Sequence, residues 1–301
     1  MSLEATPRTE TAEVFRALGV LCETPHPSHR SLAAALELGV PPTAAEHTQV
    51  FALGTVPYAS VYLGAEGMLG GEAADRVAGF WRALRLVPPA ESDHLAALLG
   101  LLASLTEAQA AEPDTARAAL RGRARAVLLH EHLLPWVPTF ARAVAASGSA
   151  FYAGWAALLV EVLVAEGTSL EAPETLPVAL AEAPGLPDEV ASLRELAEGL
   201  LAPVRSGLVL TRPEVARGAR DLGLGLRIGE RAFVLASMLE QDPVATLDWV
   251  AHRADAWAAH HLRDAETLGP TARFWAARAT TTATTCRARR DATEEALSDD
   301  R

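Results

Sequence analysis

The sequence predicts an all-α fold, in which a helical bundle is followed by a C-terminal helical extension. Half of the 301 residues are hydrophobic, and the alanines and leucines prominent among them favour helices. Apolar residues recur at spacings of three and four, as at residues 9–22, the first predicted helix. Prolines and glycines separate such stretches from one another. These patterns predict helices throughout the chain.

The breaks between predicted helices divide the chain into four segments. Residues 1–167 are the predicted helical core and residues 168–188 are a linker. The linker holds four prolines, several acidic residues and no basic residue, which is typical of a loop with at most a short helix. Residues 189–290 form the predicted C-terminal helical portion, in which Thr211 and Glu214 have the spacing of a capping box. Residues 291–301 are charged and are expected to be a disordered tail.

The core is organised around residues 88–105. Two prolines end the preceding helix, and Ser92 or Asp93 is expected to cap the next one. That next helix is apolar on more than one face, which predicts a central position; its leucines are Leu95, Leu98, Leu99, Leu101, Leu102 and Leu105. Asp93 and His94 therefore lie where a loop enters a buried helix. They are either a structural cap with its partner or part of a functional site.

Composition excludes several classes of function. The formal net charge of −12 disfavours nucleic-acid binding and suits either a basic partner or simple solubility. Two cysteines, Cys22 and Cys286, show no disulfide framework, which indicates a reducing compartment. The N-terminus lacks the pattern of a secretory signal, and no uninterrupted run of 18 apolar residues predicts a membrane span. A cytoplasmic location is expected.

No metal or cofactor site is predicted. His130 and His132 are two residues apart and so point to different sides of a helix. Asp248, His252 and Asp255 share one helix face but do not close a site, and they are interpreted as an exposed polar face. The arginines of the helix predicted at 113–134 are likewise interpreted as a solvated face; they are Arg117, Arg121, Arg123 and Arg125.

Several short motifs occur in an order that resembles the TorD/DmsD/NarJ family of molybdoenzyme maturation chaperones. They are Tyr58-Ala-Ser-Val-Tyr62, Phe80-Trp81, Asp93-His94, His132-Leu-Leu-Pro-Trp136 and Phe151-Tyr152. The resemblance runs from about residue 45 to about residue 165. In the family the loop before the Leu-rich helix usually reads Glu-Pro-x-Asp-His, whereas this chain has Ala90-Glu91-Ser92-Asp93-His94. Glu91 is one position away from the family's glutamate.

This resemblance implies a TorD-like helical bundle that binds the twin-arginine signal peptide and the apo form of a molybdenum-containing oxidoreductase. It implies no catalysis, and it implies either a monomer or a homodimer that exchanges helices through the linker. Members of the family have been linked to guanine nucleotides and molybdopterin, but this sequence shows no recognisable site for either, so no cofactor is predicted. A peptide groove is predicted from aromatic, acidic and imidazole side chains: Tyr58, Tyr62, Trp81, Glu91, Asp93, His94 and Trp136. The tyrosines also suit buried core positions.

Two alternatives remain open at this point. His94 with Asp93 or Glu91 could act as an acid–base pair in a small helical enzyme. The chain could also be a helical adaptor that has no peptide site. A deep closed pocket beside His94 would favour the enzyme, and the absence of any groove around Tyr58, Trp81 and His94 would favour the adaptor.

Overall fold

A computed structural model describes residues 8–170, 175–225 and 227–299 and confirms the all-α fold. Contacts between residues divide the chain into two units. Unit 1 comprises the chain up to residue 60 and residues 69–177, and unit 2 comprises residues 61–68 and the chain from residue 178 onwards. Part of the predicted linker, at 171–174, and the last two residues of the predicted tail lie outside the described residues.

Unit 1 contains the first nine α-helices and two π-helical segments. The α-helices are α1 (Arg8–Leu21), α2 (His29–Ala35), α3 (Ala44–His47), α4 (Ala59–Leu63), α5 (Gly71–Ala83), α6 (Leu95–Ala110), α7 (Thr115–Val127), α8 (Val137–Ala145) and α9 (Ala150–Ser169). The π-helical segments, Thr48–Ala52 and Leu128–Leu133, directly follow α3 and α7. Helix α4 begins in unit 1, and its last three residues belong to unit 2.

Helix α6 is the central helix of unit 1, as its apolar pattern predicts. It packs against α1 on one side and α7 on another, while α8 packs against α9. Five of its six leucines are buried and Leu105 is half-buried. A helix that is apolar nearly all round requires such cover from several neighbours. The entrance to this helix is therefore fixed by the core of unit 1.

The arginines of α7 do not form one solvated face, which corrects the sequence prediction. Arg117 and Arg123 are exposed, but Arg121 pairs with Glu112 at 2.7 Å. Arg125 is buried, and its guanidinium donates to the buried carboxylate of Glu166 on α9. The prediction was wrong for Arg125 because helical periodicity does not reveal that another helix covers that face of α7.

Helix α9 is long and apolar enough to cross a membrane, judged by length and composition alone. Its large side chains are buried within unit 1, among them Phe151, Tyr152, Trp155, Leu159 and Leu163. The indole of Trp155 donates a hydrogen bond to the carbonyl of Leu18 at 3.0 Å. These contacts are those of a core helix. Its buried Glu166 has its ion-pair partner inside the same unit.

Unit 2 contains the remaining helices. They are α10 (Val178–Ala181), α11 (Leu193–Leu201), α12 (Pro203–Ser206), α13 (Arg212–Asp221), α14 (Arg231–Gln241), α15 (Pro243–Arg263), α16 (Ala265–Leu268) and α17 (Pro270–Asp299). The long helices α15 and α17 pack against each other, and α11 packs against α14. The predicted capping box is present at the start of α13, where Thr211 and Glu214 bond each other's backbone amides.

Helix α17 continues to Asp299, whereas the sequence suggests a disordered tail from residue 291. The continuation agrees with the good helix formers at residues 292–297. Along the same helix, Arg290 pairs with Asp248 at 2.6 Å, and Arg287 pairs with Asp255. The two aspartates of the polar face on α15 are therefore ion-paired. No group of three or more metal-ligating side chains is found among the described residues.

Candidate functional site

The site is built where the segment before α4 meets the segment before α6, within unit 1. The amide of Ala59 donates to the carbonyl of Asp93 at 3.0 Å, and the amide of Leu95 donates to the carbonyl of Pro57 at 2.9 Å. Tyr58 and His94 thus form an isolated antiparallel bridge. Backbone hydrogen bonds therefore join the N-terminal ends of α4 and α6, which are 33 residues or more apart in sequence.

Asp93 caps α4, not the helix that follows it. Its side chain is buried, and Oδ2 accepts a hydrogen bond from the amide of Ser60 at 3.0 Å. The cap of α6 is instead His94, whose Nδ1 accepts from the amide of Ala96 at 3.2 Å. The prediction that Ser92 or Asp93 caps α6 was therefore wrong. The backbone bridge turns Asp93 towards α4, where the positive end of the helix dipole favours a carboxylate.

His94 has the neutral imidazole that this capping role requires. Burial lowers its pKa, although Glu91 and Asp93 act in the opposite direction. Its ring meets the ring of Tyr58 edge to face, with centroids 4.7 Å apart. Since Nδ1 is occupied as an acceptor, the proton of the neutral ring is on Nε2. Asp93 and His94 thus each bond a backbone amide of a different helix.

Tyr58 and Glu91 form a second contact of the loop. The hydroxyl of Tyr58 donates to the carboxylate of Glu91, and Tyr58 itself is half-buried. Burial, followed by the hydrogen bond to Glu91, raises the pKa of Tyr58 to about 12. The phenol is therefore a stable donor at neutral pH. Glu91 remains exposed, and its carboxylate is accessible to a ligand.

An open cavity of about 470 Å³ lies beside this loop. It is lined by Tyr58, Leu69, Gly70, Ala74, Asp75, Ala78, Arg82 and residues 88–93. The lining has three carboxylates, those of Asp75, Glu91 and Asp93, and one guanidinium. Directly before it along the chain, Leu86 is 43% exposed and Val87 is 90% exposed. The cavity thus combines an acidic lining with exposed apolar side chains nearby.

Trp81 and the other predicted aromatic residues are placed differently from one another. The indole of Trp81 is half-buried and donates to the carbonyl of Ser92 at 3.2 Å. This hydrogen bond connects the end of α5 to the loop at residues 88–93. Tyr62 is 1% exposed and belongs to unit 2. Trp136 is fully buried in unit 1, where its indole donates to the carbonyl of His132. Tyr62 and Trp136 are core residues, so the predicted groove does not include them.

Two charged residues of the cavity were missed from the sequence, Asp75 and Arg82 on α5. A signal for Arg82 was present, because Ala74, Ala78 and Arg82 follow one another at intervals of four and share a helix face. The loop at residues 88–93 returns along this face. A cavity lined by three carboxylates, with exposed apolar side chains directly before it along the chain, suits a guanidinium that is carried by an otherwise apolar chain.

Residues 26–142 match a protein family described as nitrate reductase delta subunit. The match includes the whole acidic cavity and the motifs from Tyr58 to Trp136. No curated protein matches the chain. The resemblance inferred from the motifs is confirmed over this range. Over residues 26–142 the chain is therefore similar to the nitrate reductase delta subunit family, a NarJ/TorD-type family of molybdoenzyme maturation chaperones.

Proposed function

We propose that this protein binds the twin-arginine signal peptide of a molybdenum-containing oxidoreductase at the acidic cavity and assists its maturation. The observation that carries the proposal is the cavity itself, whose lining has three carboxylates and whose lining residues 88–93 directly follow exposed Leu86 and Val87 along the chain. The family supplies the class of partner, a nitrate reductase-type molybdoenzyme subunit. Cytoplasmic location, absence of catalysis and a monomer or helix-exchanged dimer remain predictions that accompany this proposal.

The charges support an arginine-bearing ligand. Carboxylate–guanidinium hydrogen bonds are charge-assisted and often bidentate, so they are stronger than bonds between neutral groups. Glu91 is exposed, and its hydrogen-bond partner among the described residues is the hydroxyl of Tyr58, which an arginine would displace or join. Asp75 is exposed on the facing helix. The net charge of −12 would further speed the encounter with a basic peptide.

The apolar surface supports the remainder of the peptide. Val87 and Leu86 precede Pro88, and Leu69 lies in the cavity lining at 59% exposure. Exposed large apolar side chains grouped at one site are typical of docking surfaces. An extended or helical peptide would place its arginines against the carboxylates and its apolar residues along this rim.

A titration tests the proposal. Isothermal calorimetry with a synthetic peptide that carries two consecutive arginines before an apolar segment is expected to show binding. Glu91→Gln and Asp75→Asn should each weaken that binding at least about 10-fold, since each removes a charge-assisted contact of roughly 1.5–3 kcal/mol. These residues are better targets than Asp93, whose removal would also leave the buried amide of Ser60 without its acceptor.

Glu72→Gln is the matched control, because Glu72 is an exposed carboxylate on the same helix as Asp75 but does not line the cavity. Its binding should equal that of the unmodified protein. Equal affinity of all three variants would contradict the proposed site. Equal affinity for a peptide with both arginines replaced by glutamine would contradict arginine recognition.

The acid–base enzyme has less support. Asp93 and His94 are engaged by the amides of Ser60 and Ala96, so neither side chain is directed at a shared substrate position. The cavity beside them is open. An open acidic cavity is better suited to a peptide than to the enclosed chemistry that a lone acid–base pair would need.

A further inference from the structure

The lining of the acidic cavity includes one positive charge, the guanidinium of Arg82. Arg82 is exposed and lies in the last turn of α5. In the part of the chain that the structure describes, it forms no ion pair and donates no side-chain hydrogen bond, although three carboxylates line the same cavity. The positive charge of Arg82 is therefore open to a ligand.

The face of α5 that lines the cavity carries opposite charges at its two ends. Asp75, Ala78 and Arg82 are spaced i, i+3 and i+7, which places them on one helix face, and all three line the cavity. Seven residues of an α-helix rise about 10 Å. The alanines at 74 and 78 place no large side chain between the two charges. This wall of the cavity is thus negative towards Asp75 and positive towards Arg82.

We propose that Arg82 binds an acidic side chain of the same peptide whose arginines bind the carboxylates of the cavity. This inference rests on the proposed function and adds a determinant of specificity to it. An extended peptide advances about 3.3 Å per residue, so a distance of about 10 Å corresponds to three residues. The acidic residue is therefore expected about three positions from the arginine that contacts Asp75.

Arg82 would discriminate between peptides by attraction and by repulsion. Its planar guanidinium can hold a carboxylate with two parallel hydrogen bonds. A peptide that carries arginines alone leaves this charge without a partner and brings further positive charge close to it. Specific recognition commonly combines a favourable contact with the right ligand and an unfavourable one with its competitor. Arg82 would in this way fix the register in which the peptide lies along α5.

Calorimetry on the full chain with matched peptides tests the inference. Each peptide carries two consecutive arginines before an apolar segment, and glutamate stands three positions before the pair in one and three positions after it in the other. Each has a counterpart with glutamine at that position. One of the glutamate peptides is expected to bind about three-fold more tightly than its counterpart. The net charge of −12 alone would favour the glutamine peptides, so this sign identifies a local cation.

Arg82→Met should abolish the preference for glutamate and leave the affinity for the glutamine peptide undiminished. Arg85→Asn is the matched control, because Arg85 is an exposed arginine directly after α5 that does not line the cavity. Its φ is 60°, a conformation that asparagine tolerates better than most residues. This variant removes the same charge and should keep the preference.

The inference is overturned if neither glutamate peptide binds more tightly than its counterpart while Glu91→Gln still weakens binding. In that case the proposed function stands without a role for Arg82. It is also overturned if Arg82→Met keeps the preference, or if this variant weakens the glutamate and glutamine peptides equally. Failure of every peptide to bind would contradict the proposed function and this inference together.

Discussion

Replacing Glu166 with alanine is expected to lower the free energy of unfolding by about 3–5 kcal/mol, because it leaves a buried guanidinium without its counter-ion. Arg125 and Glu166 are 4% and 7% exposed at their side chains. The only other side-chain acceptor that the structure gives Arg125 among the described residues is Oε1 of Gln109. Its Nε is already buried without a partner. Water cannot readily solvate the charge of Arg125, which the variant leaves buried and unpaired.

Chemical denaturation at neutral pH measures this loss, and two controls give it meaning. Changing Glu198 to alanine breaks its exposed pair with Arg194 and should lower stability much less, because solvent screens that pair. A double variant, Arg125→Met with Glu166→Leu, should recover most of the stability lost by Glu166→Ala, because no unpaired charge remains. A loss below about 1 kcal/mol for Glu166→Ala would show that the pair is not buried as described.

Stability is expected to fall between about pH 6.5 and pH 4, and His132 should be a major cause. Burial lowers the pKa of this imidazole to about 4, with a smaller contribution from the charge of Arg76. Its ring packs against Phe80, with centroids 4.8 Å apart. In the unfolded chain a histidine titrates near pH 6.5. The folded protein therefore binds the proton less readily than the unfolded chain does.

Proton linkage determines the direction in which the free energy of unfolding changes with pH. Above about pH 6.5 both states are neutral and the contribution of His132 is fully present. As the pH falls to about 4, the unfolded chain gains the proton first and stability drops by roughly 3 kcal/mol. The wild type should lose more than this, because burial also lowers the pKa of His29, His94 and His130.

The measurement compares free energies of unfolding at about pH 7.5 and pH 4.5. His132→Gln should lose less stability than the wild type over this interval. The same decrease in His132→Gln as in the wild type would mean that His132 is not the group responsible.

Local features of this fold could be predicted from the sequence. The central position of α6 follows from its leucines, and the capping box of Thr211 and Glu214 follows from a spacing of three. The loop before α6 was also predicted, because Pro88 and Pro89 end the helix that precedes it. These features depend on residues that are neighbours along the chain, which is what periodicity and capping rules describe.

Features that depend on distant residues could not be predicted. Asp93 was expected to cap α6, the helix that follows it. Its carboxylate instead accepts a hydrogen bond from the amide of Ser60, which is 33 residues away. Arg125 was assigned to solvent, because nothing near it in sequence reveals the carboxylate of Glu166. Likewise, the sequence predicts Tyr58 and Tyr62 in one groove but does not show that residues 61–68 group with unit 2.

Site-specific photo-cross-linking tests the central claim most directly, that the acidic cavity receives the signal peptide. A benzophenone amino acid is placed at Val87, which is 90% exposed beside the cavity, or at Leu262, which is 59% exposed in unit 2. The twin-arginine peptide is expected to cross-link at position 87 and to lose that cross-link when Glu91 and Asp75 are neutralised. A bound peptide that cross-links at position 262 but not at position 87 would contradict the account.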